Sequence, residues 1–388
     1  MSRKRKVRIG ILGGGGILGA HAPAFNKIRH LCTVVAVAEP NEEKHPRIRQ
    51  LLGQDVRICK DYRQALAAGD VDAVDVLLPH DLHLPATAAA AAAGKPVLVE
   101  KVMARNTYEC DRMIAACAQA GVSLTVCHDR RYHAQWMALK EIVDSGALGE
   151  VFYWKLEHNQ NVVLPRTSWA FYRDGIGGGC IMSCLTHQID ALRWYGGEIE
   201  RVTCITKVLP ERMEGESVGI VGAAMKSGAV ANMTINWFTN SHWGANALWY
   251  ELVQACGTRG EAYYMSGRGT FIRLHDKSNR KALNRFGRQA LEGLVPVPCG
   301  DWSGHDRCIL EWVRSLRGEK ARITTSGREV RGTVEVAEAA YLSAKTGRVV
   351  SLPIKPTPWK RSSRKGARAA GKDKGFSYVV AAGDGDKP

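Results

Sequence analysis

Three short stretches of this 388-residue chain carry residue types that can do chemistry at useful spacing. In the first, VRIGILGGGGILGAHAPAF, a β-rich run over 7–12 meets four glycines and a helix expected to begin near Ile17. A helix N-terminus offers unpaired N–H groups and partial positive charge to a pyrophosphate, and glycine lets the backbone approach it closely. Two registers fit G-x-G-x-x-G: Gly14, Gly16 and Gly19 in full, or Gly13 and Gly15 with Leu18 in place of the last glycine. Gly13, Gly14, Gly15, Gly16, Ile17 and Leu18 are therefore candidate nucleotide contacts. The second stretch, KPVLVEK, ends on Glu100 and Lys101. An ammonium group at the mouth of an apolar strand is placed to titrate or to polarise a hydroxyl. The third, GGGCIMSCLTHQID over 177–190, sets a serine, a histidine and an aspartate behind three glycines. On a helix, Ser183 and His187 share a face and Asp190 follows on the same side. The glycines are expected to let a loop close against a ligand crevice.

These groups need a scaffold, and the first 130 or so residues describe one. TVVAVAE ends in Glu39, about 20 residues past the glycine loop, where a carboxylate accepts hydrogen bonds from both ribose hydroxyls and repels a 2′-phosphate. The following Pro40-Asn41 brings no basic replacement, so NAD is favoured over NADP. A methyltransferase using S-adenosylmethionine would share these features. VDAVDVLLP, KPVLVEK and VSLTVCHD read as strands, with amphipathic helical segments HLPATAAAAAAG and TYECDRMIAACAQAG between them. That alternation implies a parallel sheet with right-handed crossovers, whose ligands bind at the C-terminal strand ends. Pro79, His80 and His83 thereby join Glu100 and Lys101 as cofactor-crevice candidates. His21, just past the glycine loop, is read as a support for loop and helix. From Val151 onward, VFYWKLEH, RVTCITKVL, SVGIVGAAM, AVANMTINWF and LWYELVQAC are strand-like runs between turn residues, which predicts a second, α+β unit.

Length and 45% hydrophobic content are enough for two cores. The divisions expected are a basic extension over 1–6, a Rossmann domain over 7–128, an α+β substrate and oligomerisation domain over 129–354, and a basic tail over 355–388. The two ends carry ten of the sixteen net positive charges, so the body is only modestly basic and a nucleic-acid partner is not expected. The tail is poor in large apolar residues and is expected to be disordered. Eleven cysteines are scattered without CxxC pairs, a pattern that suits a reducing cytoplasm; no metal is expected. There is no apolar run long enough for a membrane span.

In matching order from about Val7 to Ile354, the glycine loop, Glu39, PHDLH, AGKPVLVEK, HDRRYHA, GALGEV, GGGCIMSCLTHQID and VEVAEAAYLSAKTGRVVSLPI resemble the Gfo/Idh/MocA family, that of glucose-fructose oxidoreductase and inositol dehydrogenase. The resemblance implies an α/β fold: an N-terminal Rossmann sheet followed by a domain with a broad, mostly antiparallel open sheet that serves as a homodimer or homotetramer interface. It implies NAD-dependent hydride transfer to or from a secondary alcohol of a sugar, polyol or sugar derivative. An NAD-dependent glycosidase or lyase working by transient sugar oxidation, and a non-catalytic NAD-bound sugar sensor, are the alternatives. By resemblance Lys101 is catalytic, although Val102 replaces the family's proline; a non-proline residue there predicts a trans peptide, since cis costs about 2.5–4 kcal/mol. Ser183 stands where relatives carry an aspartate, and His187 is kept, so Lys101 is read as polariser and His187 as base. His158, Trp169, Tyr172 and Arg131, with Ser183, are the expected substrate contacts.

Overall fold

A computed structural model describes residues 5–239 and 249–360 of the chain. The expected tail falls mostly on 361–388, outside the described residues, as do residues 1–4 of the basic extension.

The first sheet contains β1 (Val7–Leu12), β2 (Cys32–Ala38), β3 (Arg57–Cys59), β4 (Ala73–Val76), β5 (Val97–Glu100) and β6 (Leu124–Cys127), ordered β3-β2-β1-β4-β5-β6. All its pairings are parallel. Helices cover such a sheet on both faces, which is why β4, β5 and β6 are buried at every position instead of alternating. The strand order reverses between β1 and β4, and the crevice outside the carboxyl ends at that switch is the ligand position of this topology.

The second sheet contains β7 (Val151–Gln160), β8 (Ile199–Val208), β9 (Glu216–Met225), β10 (Val230–Asn236), β11 (Trp249–Gly257), β12 (Gly260–Met265), β13 (Gly269–Leu274), β14 (Val295–Pro296) and β15 (Val350–Ser351). Their order is β14-β13-β12-β11-β7-β10-β9-β8-β15. It is antiparallel except where β7 and β10 run side by side in parallel. Its strands alternate as a half-buried sheet must: in β7, Trp154, Leu156 and His158 point inward while Lys155 and Glu157 are more accessible.

The inner face is covered by the helices Thr186–Gly196 and Gly327–Thr346. Trp154 of β7 and Tyr195 of the first of these stack nearly parallel, with ring centroids 5.8 Å apart, which fixes that helix over β7. The helix Gly304–Leu316 returns to the first sheet, where Cys308, Ile309, Trp312 and Val313 share a core with Ile9, Ile11 and Leu18. No helix among the described residues is long and apolar enough to cross a membrane.

Candidate active site

At the end of β1 the backbone turns through Gly13, whose φ of 111° disfavours any side chain and whose Cβ would run into the Leu77 carbonyl. A Cβ on Gly15 would meet open space, and Leu18 is fully buried at the start of the helix Leu18–Lys27. Gly13 makes the tight turn, Gly15 leaves room above it and Leu18 packs into the core, while a Cβ on Gly14 would also run into Ile48 and one on Gly19 into Arg47, so both registers read from the sequence keep glycines that the local packing requires. Glu39, at the tip of β2, accepts hydrogen bonds from the Gly14 N–H (3.0 Å) and the Asn41 N–H (2.9 Å). Two cations that the sequence reading passed over stand nearby. Lys44 Nζ lies 3.5 Å from Glu39, and Arg47 donates to the Gly15 and Gly16 carbonyls at 3.2 and 3.4 Å. A turn at a helix N-terminus, a carboxylate at the second strand end and an adjacent arginine fit a dinucleotide.

Pro79 precedes the helix His80–Ala92, which starts at the end of β4. His80 Nδ1 is 2.8 Å from the Ile176 carbonyl, and Trp169 sets its ring edge-on to His80 at 4.8 Å. His83 is fully buried, with Nδ1 2.9 Å from the Val102 carbonyl. The Lys101–Val102 peptide is cis, contrary to the trans bond expected from the missing proline. Packing decides this: Val102 is fully buried in the main core and its carbonyl is pinned by His83, so the surrounding contacts set the course of the backbone.

Lys101 reaches across to the third stretch, where its Nζ donates to the Ser183 carbonyl at 2.7 Å. Residues Ile181–Leu185 form a π-turn ahead of the helix Thr186–Gly196, in place of the uniform α-helix expected. Such a bulge shifts the hydrogen-bond register and recurs at functional sites. The three glycines dock this segment on the protein itself, a correction to the expectation that they face the crevice: Gly178 has a φ of 146° and abuts Tyr341, while Gly177 and Gly179 abut Arg105 and Glu216.

His187 is nearly buried, its ring parallel to His158 at 5.8 Å. Burial lowers its imidazole well below the ordinary 6.5, and the Lys101 and Arg130 cations push the same way, so it is neutral at neutral pH. Its Nδ1 makes no hydrogen bond and lies 3.6 Å from Asp129. His158 faces Glu251, directly opposite it across β7 and β11, at 3.1 Å. Burial would lower this histidine, but hydrogen bonding to Cys184 and Glu251 outweighs it and raises it to about 9. Cys184 shows the reverse balance: burial would raise the thiol, while Lys101 and His158 hold it down to about 7. Lys101, Ser183, Cys184, His187 and His158 thus form one cluster.

Arg131 does not join it. Its guanidinium is buried in a two-pronged pair with Asp190 (2.7 and 2.9 Å) and also meets Glu329 and the Thr324 carbonyl, so it binds protein where a substrate contact was expected. Asp190 is wholly buried in that pair instead of facing the crevice beside His187. Tyr172 donates its hydroxyl to the Arg166 carbonyl at 2.8 Å. Residues that the sequence reading left out of the site are Arg130, which bridges Asp129 (2.6 Å) and Glu251 (3.0 Å), and Trp249, half-exposed with its ring 6.3 Å from His158. A lone glutamate inside the apolar run of β11 was the available signal for Glu251.

Residues 7–128 match the oxidoreductase family with an NAD-binding Rossmann fold, GFO_IDH_MocA, and residues 136–263 match the GFO/IDH/MocA C-terminal domain. The chain is 32% identical over 190 residues to an inositol 2-dehydrogenase of Klebsiella pneumoniae. That match covers 48% of this chain and 54% of the relative, so it spans about half the relative's length. With an inositol 2-dehydrogenase of Streptomyces avermitilis the identity is 27% over 356 residues, covering 90% of this chain and 95% of the other. Its fold is that of the WlbA dehydrogenase from Bordetella pertussis, solved in complex with NADH and UDP-GlcNAcA, with a TM-score of 0.77, 24% identity and coverage of 92% and 100% of the two chains.

Proposed function

Because the chain belongs to the Gfo/Idh/MocA oxidoreductase family, we propose that it is an NAD-dependent dehydrogenase acting on a secondary alcohol of a sugar, polyol or sugar derivative. The observation that carries this reading is that Lys101 Nζ, at the C-terminal end of β5, is held on the π-turn carbonyl of Ser183 close enough to a neutral His187 for its charge to act on that ring. When bound, the nicotinamide supplies the hydride acceptor or donor. The Gly13–Leu18 turn would hold the pyrophosphate, Glu39 the ribose, and Pro79, His80, His83 and Glu100 the wall of the crevice. Lys101 donates to the substrate hydroxyl and orients it. His187, uncharged and with a ring nitrogen to spare, takes the hydroxyl proton. Ser183 donates or accepts at a neighbouring hydroxyl, and Trp169 and Trp249 offer flat faces to a sugar ring. The named activity of the inositol relatives and the UDP-GlcNAcA held by WlbA support a polyhydroxylated substrate.

The test is turnover. Purified full chain with NAD is incubated with inositols, free sugars, glycosides and nucleotide sugars, following nicotinamide reduction by absorbance and products by mass spectrometry. No reduction and no product across the panel would sink the dehydrogenase reading. Altered product without accumulating NADH would instead indicate transient oxidation.

The same reading extends to assembly and location. Ile205 and Ile220, directly paired across β8 and β9, are 73% and 49% exposed, and Val230 of β10 is 52% exposed. This apolar outer face is proposed to bury itself in a homodimer or homotetramer, which light scattering on Ile205→Lys and wild type checks. The eleven free thiols support a reducing, cytoplasmic setting.

A further inference from the structure

His21, Glu100, Cys127 and His305 come from four separate elements: the helix Leu18–Lys27, the end of β5, the end of β6 and the first turn of Gly304–Leu316. One ligand atom from each lies within 4.8 Å of all the others. Glu100 Oε1 is 2.9 Å from His21 Nε2 and 3.6 Å from His305 Nε2. From these observations we propose a zinc-type metal site at the junction of the nucleotide-binding sheet and the returning C-terminal helix, ligated by His21, Glu100, Cys127 and His305. No CxxC or HxxxH spacing announces it, because each ligand sits on a different element.

Three features point to a cation. A carboxylate stands beyond the second ring nitrogen of each histidine: His21 Nδ1 is hydrogen-bonded to Asp75 at 2.7 Å, and Asp129 is near His305 Nδ1 at 3.7 Å, outside hydrogen-bond distance. Carboxylates behind metal-bound imidazoles fix the tautomer and raise ligand basicity. Next, His21 sits between two carboxylates, Asp75 at 2.7 Å and Glu100 at 2.9 Å, a pairing that calls for positive charge on the ring, supplied either by a second N–H or by a cation in its place at Nε2. With a cation at Nε2, the ring keeps its Nδ1–H for Asp75. Finally, two nitrogens, a sulfur and a carboxylate oxygen make a donor set for Zn²⁺ and not for Mg²⁺ or Ca²⁺, which take oxygen ligands. Tetrahedral Zn²⁺ at about 2.0–2.3 Å from its ligands needs donor atoms roughly 3.4 Å apart, and the His21–Glu100 and His305–Glu100 pairs, at 2.9 and 3.6 Å, lie on either side of that spacing.

Four protein ligands close the coordination sphere, so the site is structural. Binding displaces two protons to solvent, that of the Cys127 thiol and the one shared between His21 Nε2 and Glu100, and leaves the thiolate and the free imidazole nitrogen on the metal. The metal would clip Gly304–Leu316 to the nucleotide-binding layer and fix Glu100, whose other oxygen accepts the Lys101 N–H at 3.1 Å.

The full chain, with any purification tag removed, is stripped with a chelator, reloaded with Zn²⁺ alone, desalted and assayed by mass spectrometry for metal. About one zinc per chain is expected, falling below about a tenth in His305→Gln. Because His305 is partly exposed, this variant is expected to keep the wild-type circular dichroism. Loading with Co²⁺ should give the visible bands of a tetrahedral site and a thiolate-to-cobalt charge-transfer band that disappears in Cys127→Ser. Wild type that retains less than about a tenth of an equivalent, or a charge-transfer band unchanged in Cys127→Ser, would overturn the proposal. None of these measurements depends on a substrate, so the outcome is independent of the dehydrogenase reading.

Discussion

Replacing His187 with leucine separates a chemical role from a structural one. Its Nδ1 makes no hydrogen bond within the protein, so truncation strands no buried partner on that side. What is lost from the folded state is chiefly the parallel contact with His158 at 5.8 Å. Ring pairs of this kind contribute about 0.5–1.5 kcal/mol, so the stability change should stay within that range. Loss of a positioned general base costs a factor of about 10²–10⁴ in kcat, or roughly 3–5 kcal/mol of barrier. The variant should therefore lose turnover far out of proportion to stability, with NAD affinity kept. A pH profile sharpens the test. The protonated imidazole accepts no proton, and burial with the Lys101 and Arg130 cations sets its pKa well below 6.5. Wild-type kcat/KM should be level near neutrality and fall only in acid, and the limb should vanish in His187→Leu. Removing one of those cations in Lys101→Met should move the limb of the residual activity upward in pH. A His187→Leu enzyme within about threefold of wild type, a loss near 0.7 kcal/mol, or one that keeps the acid limb, refutes the assignment.

Glu39→Ala should weaken NAD binding about 10- to 100-fold by calorimetry, from the loss of charged hydrogen bonds worth about 1.5–3 kcal/mol. With Lys44 and Arg47 left beside the site, it should also relax discrimination against NADP; an unchanged NAD to NADP ratio contradicts the role of the carboxylate. Arg131→Met leaves the Asp190 carboxylate wholly buried without its ion-pair partner, a loss of about 3–5 kcal/mol in urea unfolding. A loss under about 1 kcal/mol together with a raised substrate KM would return Arg131 to the substrate. Burial raises the Glu216 carboxyl from 4.5 to about 7 beneath the Ile181–Leu185 turn. A raised folded-state pKa means that this contribution is complete below about 4.5 and is lost as pH rises through about 7, amounting to about 3 kcal/mol at most. Glu216→Gln, which keeps an acceptor for Tyr341 and the Ile181 N–H, should flatten that part of the Tm profile; parallel wild-type and variant profiles would refute it.

What was legible in the sequence was what local periodicity and local chemistry record. The glycine turn, Glu39 at the end of β2, Lys101 at the end of β5 and His187 after the glycines are each announced by their own neighbours. The runs that became β7 to β11 were visible because one-sided burial imposes alternation. Directions within a short irregular turn were not visible. Asp129, Arg130 and Arg131 are consecutive, but Asp129–Tyr132 is a 3₁₀ turn, in which each residue points about 120° from the last. Asp129 therefore faces His187 and His305, Arg130 faces Glu251, and Arg131 faces Asp190. Choosing Arg131 over Arg130 needed the phase of that turn, which tertiary contacts set. The π-turn follows the same logic: Ser183 was placed by α-helical spacing, whereas the observed register presents its carbonyl to Lys101. His305 lies more than 170 residues from Glu100 and Cys127 and meets them only because Trp312 and its neighbours bring Gly304–Leu316 back to the first sheet. Apolar burial on that helix is thus the force that assembles the cluster, and a bound cation would add to an encounter the core has already made.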